Sequence, residues 1–258
     1  MRSKRKANGE GEVKAPDFQY HRPETLSAAL ALMAGDEVSA LAGGQSLMPM
    51  MNLRLTAPEA LVDLNAIQGL SGIQVEDEYL QIGAMTRYTA LEASAEITEH
   101  ATLIAKALPH IAHAAIRNRG TIGGSCALAD PAAEMPALLL ALGGQIDLQS
   151  ATEARRVPAD DFFLGLYETA LTEGELVVAI RVPMAPRGQR FGFYEIARRH
   201  GDYAMAGCAI AASDDLTAVK IAFFGVSDRA VRAISAEAAL AGTSGGDDAV
   251  MAAVESLG

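Results

Sequence analysis

Cysteine is scarce in this sequence. The chain carries two, Cys126 and Cys208, so a disulfide framework is not expected, and a four-cysteine iron-sulfur or zinc site cannot be built from this chain alone. Both read as small buried residues rather than reactive thiols. Long apolar runs are missing too. The longest block, residues 135–142, contains a proline and falls far short of the about 20 residues that a membrane span needs. Residues 1–6 hold four basic side chains, but no apolar stretch of signal-peptide length follows them, and residues 1–15 read as a solvated tail. Positive charge is in deficit, with 21 basic against 32 acidic residues and a net charge of −11. That balance repels phosphate backbones and anionic headgroups, so neither nucleic-acid binding nor membrane insertion is expected, and a cytoplasmic location is. Neither a Gly-x-x-x-x-Gly-Lys-Ser/Thr phosphate loop nor a Gly-x-Gly-x-x-Gly dinucleotide fingerprint occurs, which removes the two commonest glycine-loop nucleotide sites.

What is present is a globular chain. Half of its 258 residues are hydrophobic, enough for one large domain or two modest ones. Leu26, Ala29, Leu30 and Met33 recur at helical spacing after Thr25, an N-cap candidate, and before Gly35, a C-cap candidate. Residues 38–42 read as a strand, 46–55 as a helix interrupted early by Pro49, and 61–64 as a strand. Residues 73–75 and 79–83 form a hairpin pattern across Glu76-Asp77-Glu78. A helix is expected over residues 101–116 and another over 132–142. Strands are expected within 145–160 and at 176–180, 191–197, 206–212 and 218–226, with a helical, alanine-rich end from residue 230. The cluster Pro183-Met184-Ala185-Pro186-Arg187-Gly188 reads as a domain boundary. The architecture is mixed α+β, a domain at 16–187 followed by a smaller one at 188–258.

Two segments share a plan of paired glycines, a small polar residue and a helix start: Ala42-Gly43-Gly44-Gln45-Ser46-Leu47 and Thr121-Ile122-Gly123-Gly124-Ser125. Adjacent glycines bring backbone N–H groups close to an anion, and a following helix start adds partial positive charge. Two such segments fit a diphosphate held from both sides, with Ser46, Thr121 and Ser125 offering hydroxyls and Glu134 offering a carboxylate to a ribose diol. Taken singly, a Gly-Gly pair is more often a plain turn. His110 and His113 stand at i, i+3 with no carboxylate at a matching step, a poor pattern for a metal. No nucleophile or general base stands out, and no catalytic residue is assigned.

The residues around the glycine pairs carry a more specific signal. Ala42 through Pro49, then Arg54, Ile82-Gly83-Ala84-Met85-Thr86, Thr121-Ile122-Gly123-Gly124 with Asp130-Pro131 and Glu134-Met135-Pro136, and Ala197 through Ala204 occur in this order. Together they resemble the FAD-binding medium subunits of molybdenum hydroxylases of the carbon monoxide dehydrogenase and xanthine dehydrogenase type, across about residues 18–226.

The resemblance implies a two-part FAD-binding domain of the vanillyl-alcohol-oxidase (PCMH) type followed by a small α/β C-terminal domain. It implies that both glycine segments hold the FAD diphosphate, that Glu134 stands where the family has an aspartate at the adenosine ribose, that Tyr203 lies beside the isoalloxazine ring, and that Thr86 contributes from the intervening motif. It further implies a large subunit with the molybdenum cofactor and a small subunit with two-iron iron-sulfur clusters, assembled as a dimer of heterotrimers. This chain would then pass electrons through FAD to an external acceptor. Family members continue with a further arginine-bearing helical segment, whereas this sequence stops at Ser256-Leu257-Gly258, so the C-terminal domain reads as shortened. A self-sufficient FAD-dependent oxidoreductase and a non-catalytic flavin-binding assembly protein are the competing expectations.

Overall fold

Parallel pairing opens the chain. In a computed structural model, which describes residues 15–186 and 188–257, β1 (Gln19–His21), α1 (Leu26–Met33), β2 (Val38–Leu41), α2 (Leu47–Asn52) and β3 (Ala60–Asp63) form the first unit. Its three strands run parallel in the order β1-β3-β2. Thr25 caps α1, its hydroxyl accepting from the Ala28 N–H at 3.2 Å. Ala29, Leu30 and Met33 turn inward against Val62, Leu64 and Met85, the stripe that their spacing predicts. Most of the expected N-terminal tail lies outside the described residues.

The next unit starts with the hairpin β4 (Ile73–Val75) and β5 (Tyr79–Gly83), which the sequence pattern anticipates. Six helices follow: α3 (Tyr88–Glu92), α4 (Ala95–His100), α5 (Thr102–Ala107), α6 (Ala114–Arg117), α7 (Ile122–Leu128) and α8 (Glu134–Leu142). Then come β6 (Gln145–Gln149), β7 (Ala154–Pro158), α9 (Ala159–Phe162), the small hairpin β8 (Phe163–Gly165) and β9 (Glu168–Thr169), and β10 (Leu176–Pro183). The main sheet here has the order β4-β5-β10-β6-β7, with every pairing antiparallel.

Two expectations fail in this stretch. The single helix over 101–116 is broken into α5 and α6, with Pro109 after the last turn of α5 and Ala112 at φ 50° between them; proline lacks the N–H that would continue the helix. The helix expected from residue 132 starts at Glu134, because Asp130 Oδ1 accepts from the Ala132 N–H at 2.9 Å and closes a turn there. Gly143, at φ 68°, ends α8 as a left-handed cap.

After residue 188 the chain forms β11 (Arg190–Ala197), β12 (Ala204–Ala212), β13 (Val219–Phe224) and β14 (Val231–Arg232), an antiparallel meander, followed by α10 (Ile234–Leu240) and α11 (Asp247–Glu255). Helix α8 is buried along nearly its whole length and joins the two sheets. One continuous core runs from Leu80 and Ile82 through Leu138 and Leu139 to Ala209 and Phe224. The chain is thus α+β, as expected. Among the described residues no helix is long and apolar enough to cross a membrane.

Candidate functional site

The segment from Ala42 to Leu47 leaves the end of β2 and enters α2. Gly43 is buried, and a Cβ there would lie 2.1 Å from the Arg119 carbonyl oxygen; glycine is required by contact between two backbones. Gly44 takes φ +70°, which favours glycine. Gln45 donates from Nε2 to the Gly43 carbonyl at 3.0 Å and so braces the turn. Ser46 stands at the N-cap of α2 with a hydroxyl that makes no capping bond. Among the described residues, the backbone N–H groups of Gly44, Gln45, Ser46 and Leu47 find no protein acceptor. Consecutive donors of this kind call for water or an anion.

The second glycine segment is built differently, which corrects the shared plan read from sequence. Gly123 and Gly124 lie inside α7, not ahead of it, and Thr121 is the N-cap. Thr121 Oγ1 accepts from the Gly124 N–H at 3.1 Å. The N–H groups of Ile122, Gly123 and Ser125 donate to the carbonyls of Thr86, Ala84 and Thr121 at 3.1, 2.9 and 3.1 Å. No amide of residues 122–125 is left to bind an anion. A Cβ on Gly123 would lie 2.5 Å from Ala84 Cβ, and one on Gly124 would lie 3.6 Å from Ala42 Cβ. The second glycine pair therefore lets α7 sit close to β5 and to the first segment. What it offers a ligand is a smooth surface and the Ser125 hydroxyl.

Between these segments opens a cleft of about 510 Å³, within the ordinary range for cofactor sites. It is lined by residues 42–47, Thr121, Gly123, Gly124, Ser125, Glu134 and Tyr203. Two nominated residues lie elsewhere. Ile122 is fully buried in the core. Thr86 faces a second cleft of about 310 Å³ with Asn65 and Arg87; its hydroxyl accepts from the Gly72 N–H at 2.9 Å and donates to the Gly72 carbonyl at 3.1 Å.

Glu134 is the first residue of α8 and 8% exposed. Burial pushes its carboxyl up to about 7, and the negative charges of Glu195 and Asp130 add to the effect. Tyr203 precedes β12 and is exposed. Sequence reasoning missed Tyr88. Its ring is buried in the cleft wall, and its hydroxyl has no well-formed hydrogen bond among the described residues, although Ser125 lies alongside. Nothing in the sequence marks it, since it follows Thr86-Arg87 as an ordinary helix start.

The other singled-out residues do not join the cleft chemistry. His110 Nδ1 lies 3.6 Å from Glu195 Oε1 and His113 Nε2 lies 3.9 Å from Asp202 Oδ1, so the two histidines pair separately and tie residues 110–113 to the meander. Burial raises the thiol of Cys126 to about 12 and that of Cys208 to about 11, which leaves both protonated and unreactive at neutral pH.

The donor set fits a dinucleotide such as FAD. A run of free N–H groups and hydroxyls suits a diphosphate, a buried carboxylate suits a diol, and the buried Tyr88 hydroxyl is a further polar group at the cleft wall. Comparison with known proteins agrees. Residues 16–185 match the family described as FAD binding domain in molybdopterin dehydrogenase, and residues 192–258 match the CO dehydrogenase flavoprotein C-terminal domain. The chain is 39% identical over 245 residues to the carbon monoxide dehydrogenase medium chain of Hydrogenophaga pseudoflava, covering 93% of this chain and 85% of that one. It is 39% identical over 231 residues to the 6-hydroxypseudooxynicotine dehydrogenase complex subunit alpha of Paenarthrobacter nicotinovorans, covering 87% and 78%. The solved carbon monoxide dehydrogenase from Hydrogenophaga pseudoflava that lacks the Mo-pyranopterin moiety superposes with a TM-score of 0.91 at 41% identity, covering 94% of this chain and 86% of that chain.

Proposed function

Because this chain belongs to the FAD-binding medium-subunit family of the molybdenum hydroxylases, we propose that it passes electrons from the iron-sulfur clusters of a small partner subunit through FAD to an external acceptor. A large subunit with the molybdenum cofactor completes the unit, two such heterotrimers pair, and the assembly works in the cytoplasm. The chain divides for this task into an FAD-binding part at 16–187 and a C-terminal part at 188–258.

The observation that carries the reading is the run of unpaired N–H groups at Gly44, Gln45, Ser46 and Leu47, in a cleft that also holds the buried carboxylate of Glu134. In this reading those N–H groups and the Ser46 hydroxyl donate to the diphosphate, and the Ser125 hydroxyl donates from the facing segment. Glu134 accepts from the ribose diol, a charge-assisted pairing that is shorter and stronger than a neutral one. Tyr203 covers one face of the isoalloxazine ring and limits its contact with water. Ile122 and Thr86 support the site from behind, Ile122 through the core and Thr86 through its bonds to Gly72. The flavin, when bound, supplies the redox chemistry, taking up electrons singly and releasing them in pairs. No side chain is needed as general base or nucleophile. The work of this chain is holding, orienting and shielding.

The test is selectivity. If both the diphosphate donors and the ribose carboxylate engage, the flavin-free chain binds FAD at least about tenfold more tightly than riboflavin or FMN in fluorescence titrations, each about 1.4 kcal/mol of contact counting for a factor of ten. Equal affinity for riboflavin and FAD contradicts the assignment.

A further inference from the structure

We propose that Arg87 and Asn65 form a clamp that sets the distance between the two flavin-binding segments; this rests on the flavin reading of the cleft. Neither side chain lines the main cleft, and both line the smaller one. Arg87 donates through one guanidinium nitrogen to the Arg119 carbonyl, and through the other to the side-chain oxygen of Asn65. Asn65 in turn donates from Nδ2 to the Ala42 carbonyl at 2.9 Å. One unbroken chain of hydrogen bonds therefore runs from the residue before Gly43 to the residue before Gly120-Thr121.

The atoms at its two ends are those that need fixing. The Arg119 carbonyl oxygen is the atom that a Cβ on Gly43 would meet at 2.1 Å. Ala42 Cβ faces Gly124, 3.6 Å from where a Cβ on that glycine would stand. The clamp thus spans the same seam that the glycines close. Its base is anchored too: Asp63, at the end of β3, accepts from the Asn65 N–H at 2.9 Å and from Asn65 Nδ2 at 2.6 Å, and its other oxygen accepts from the Tyr20 hydroxyl. The backbone agrees, because Arg87 and Thr121 form a lone antiparallel bridge, with the Tyr88 N–H donating to the Gly120 carbonyl at 3.1 Å.

An arginine is suited to this place because its planar fork binds two acceptors in fixed directions, which the point-like ammonium of lysine does not do. Arg87 and Asn65 are positioning residues. They bond the backbone on either side of the seam, and act by fixing the segment that carries the free N–H groups of 44–47 in the cleft it shares with Thr121 and Ser125.

The experiment is a double-mutant cycle on the full chain with Asn65→Ala, Arg87→Gln and the pair together, plus Arg87→Lys. It reads the FAD dissociation constant, the ³¹P signals of bound FAD and the thermal midpoint of the flavin-free chain. A clamp predicts that each single variant weakens FAD by about tenfold or more, shifts the diphosphate signals, and leaves the double variant no worse than the weaker single, because one chain of bonds is cut once or twice. Arg87→Lys, which keeps the charge and folds most readily, is expected to recover only part of the affinity. Wild-type affinity and ³¹P signals in both single variants overturn the clamp, as do losses that multiply in the double variant or merely follow the thermal midpoint. A wild-type chain that takes up no FAD overturns the flavin reading itself, and is told apart by failing before any variant is compared.

Discussion

A Cβ at Gly43 or Gly123 meets protein, not ligand space, at 2.1 Å from the Arg119 oxygen and 2.5 Å from Ala84 Cβ. Gly43→Ala and Gly123→Ala should therefore destabilise the flavin-free chain by roughly 1–3 kcal/mol or more, as overpacking does, seen as a lower midpoint in urea. Wild-type stability with lost flavin would mean that these glycines serve the ligand instead. The Gly-Gly pairs were legible in the sequence, but their reasons were not, because the facing backbone comes from residues 84 and 119. Glu134 makes a pH prediction. Its folded carboxyl titrates near 7, above the unfolded value, so between the two the folded state binds more protons. Stability is then greatest below the ordinary carboxylate value and falls as pH rises toward 7, by on the order of 3 kcal/mol at most. Glu134→Gln should flatten that slope in denaturation curves taken across the range. A ribose diol donating to the carboxylate favours its charged form, so FAD affinity should rise as pH passes through 7 in the wild type and stay level in the variant. Tyr203 is 73% exposed; Tyr203→Ala should leave stability within about 0.5 kcal/mol, while the reduction potential of bound flavin moves. An unchanged potential would make Tyr203 a surface residue only.

Helix α8 shows what local pattern can and cannot reveal. The sequence pattern announces a helix ahead of Gly143-Gly144, and the structure buries every residue of it from Glu134 to Ala141. What the pattern could not give is its neighbours: α8 lies against β12 and β13 and also against β10 and α7. Leu139→Ala, at a fully buried position, should cost about 2–5 kcal/mol and destabilise both sheets together in chemical denaturation. Two separate transitions, with the meander unaffected, would contradict a shared core. The sequence reads α5 and α6 as one helix over 101–116, and the break between them depends on Pro109 and on the left-handed Ala112; the short α3 and α4 before them are not anticipated. Strand periodicity is a better guide: three of the four meander strands fall within a residue or two of their expected bounds, since alternating burial needs no knowledge of the partner, whereas the short β14 lies where the sequence reads as helix.

The whole chain carries a net charge of −11 and a main cleft bordered by both of its halves, with Glu134 on α8 and Tyr203 at the edge of the meander. Its family was legible from motif order, because several short motifs in sequence are far more specific than any one. The geometry between those motifs was not, and there the second glycine pair, Thr86 and Tyr88 took places that the sequence did not announce. The decisive measurement is anaerobic mixing of the purified FAD-loaded chain with its reduced iron-sulfur partner subunit, followed by absorption of the flavin. Bleaching of one FAD per chain on mixing is the predicted result. A chain that holds no FAD, or whose FAD the reduced partner leaves oxidised while substrate alone reduces it, would contradict the role of electron-transfer subunit.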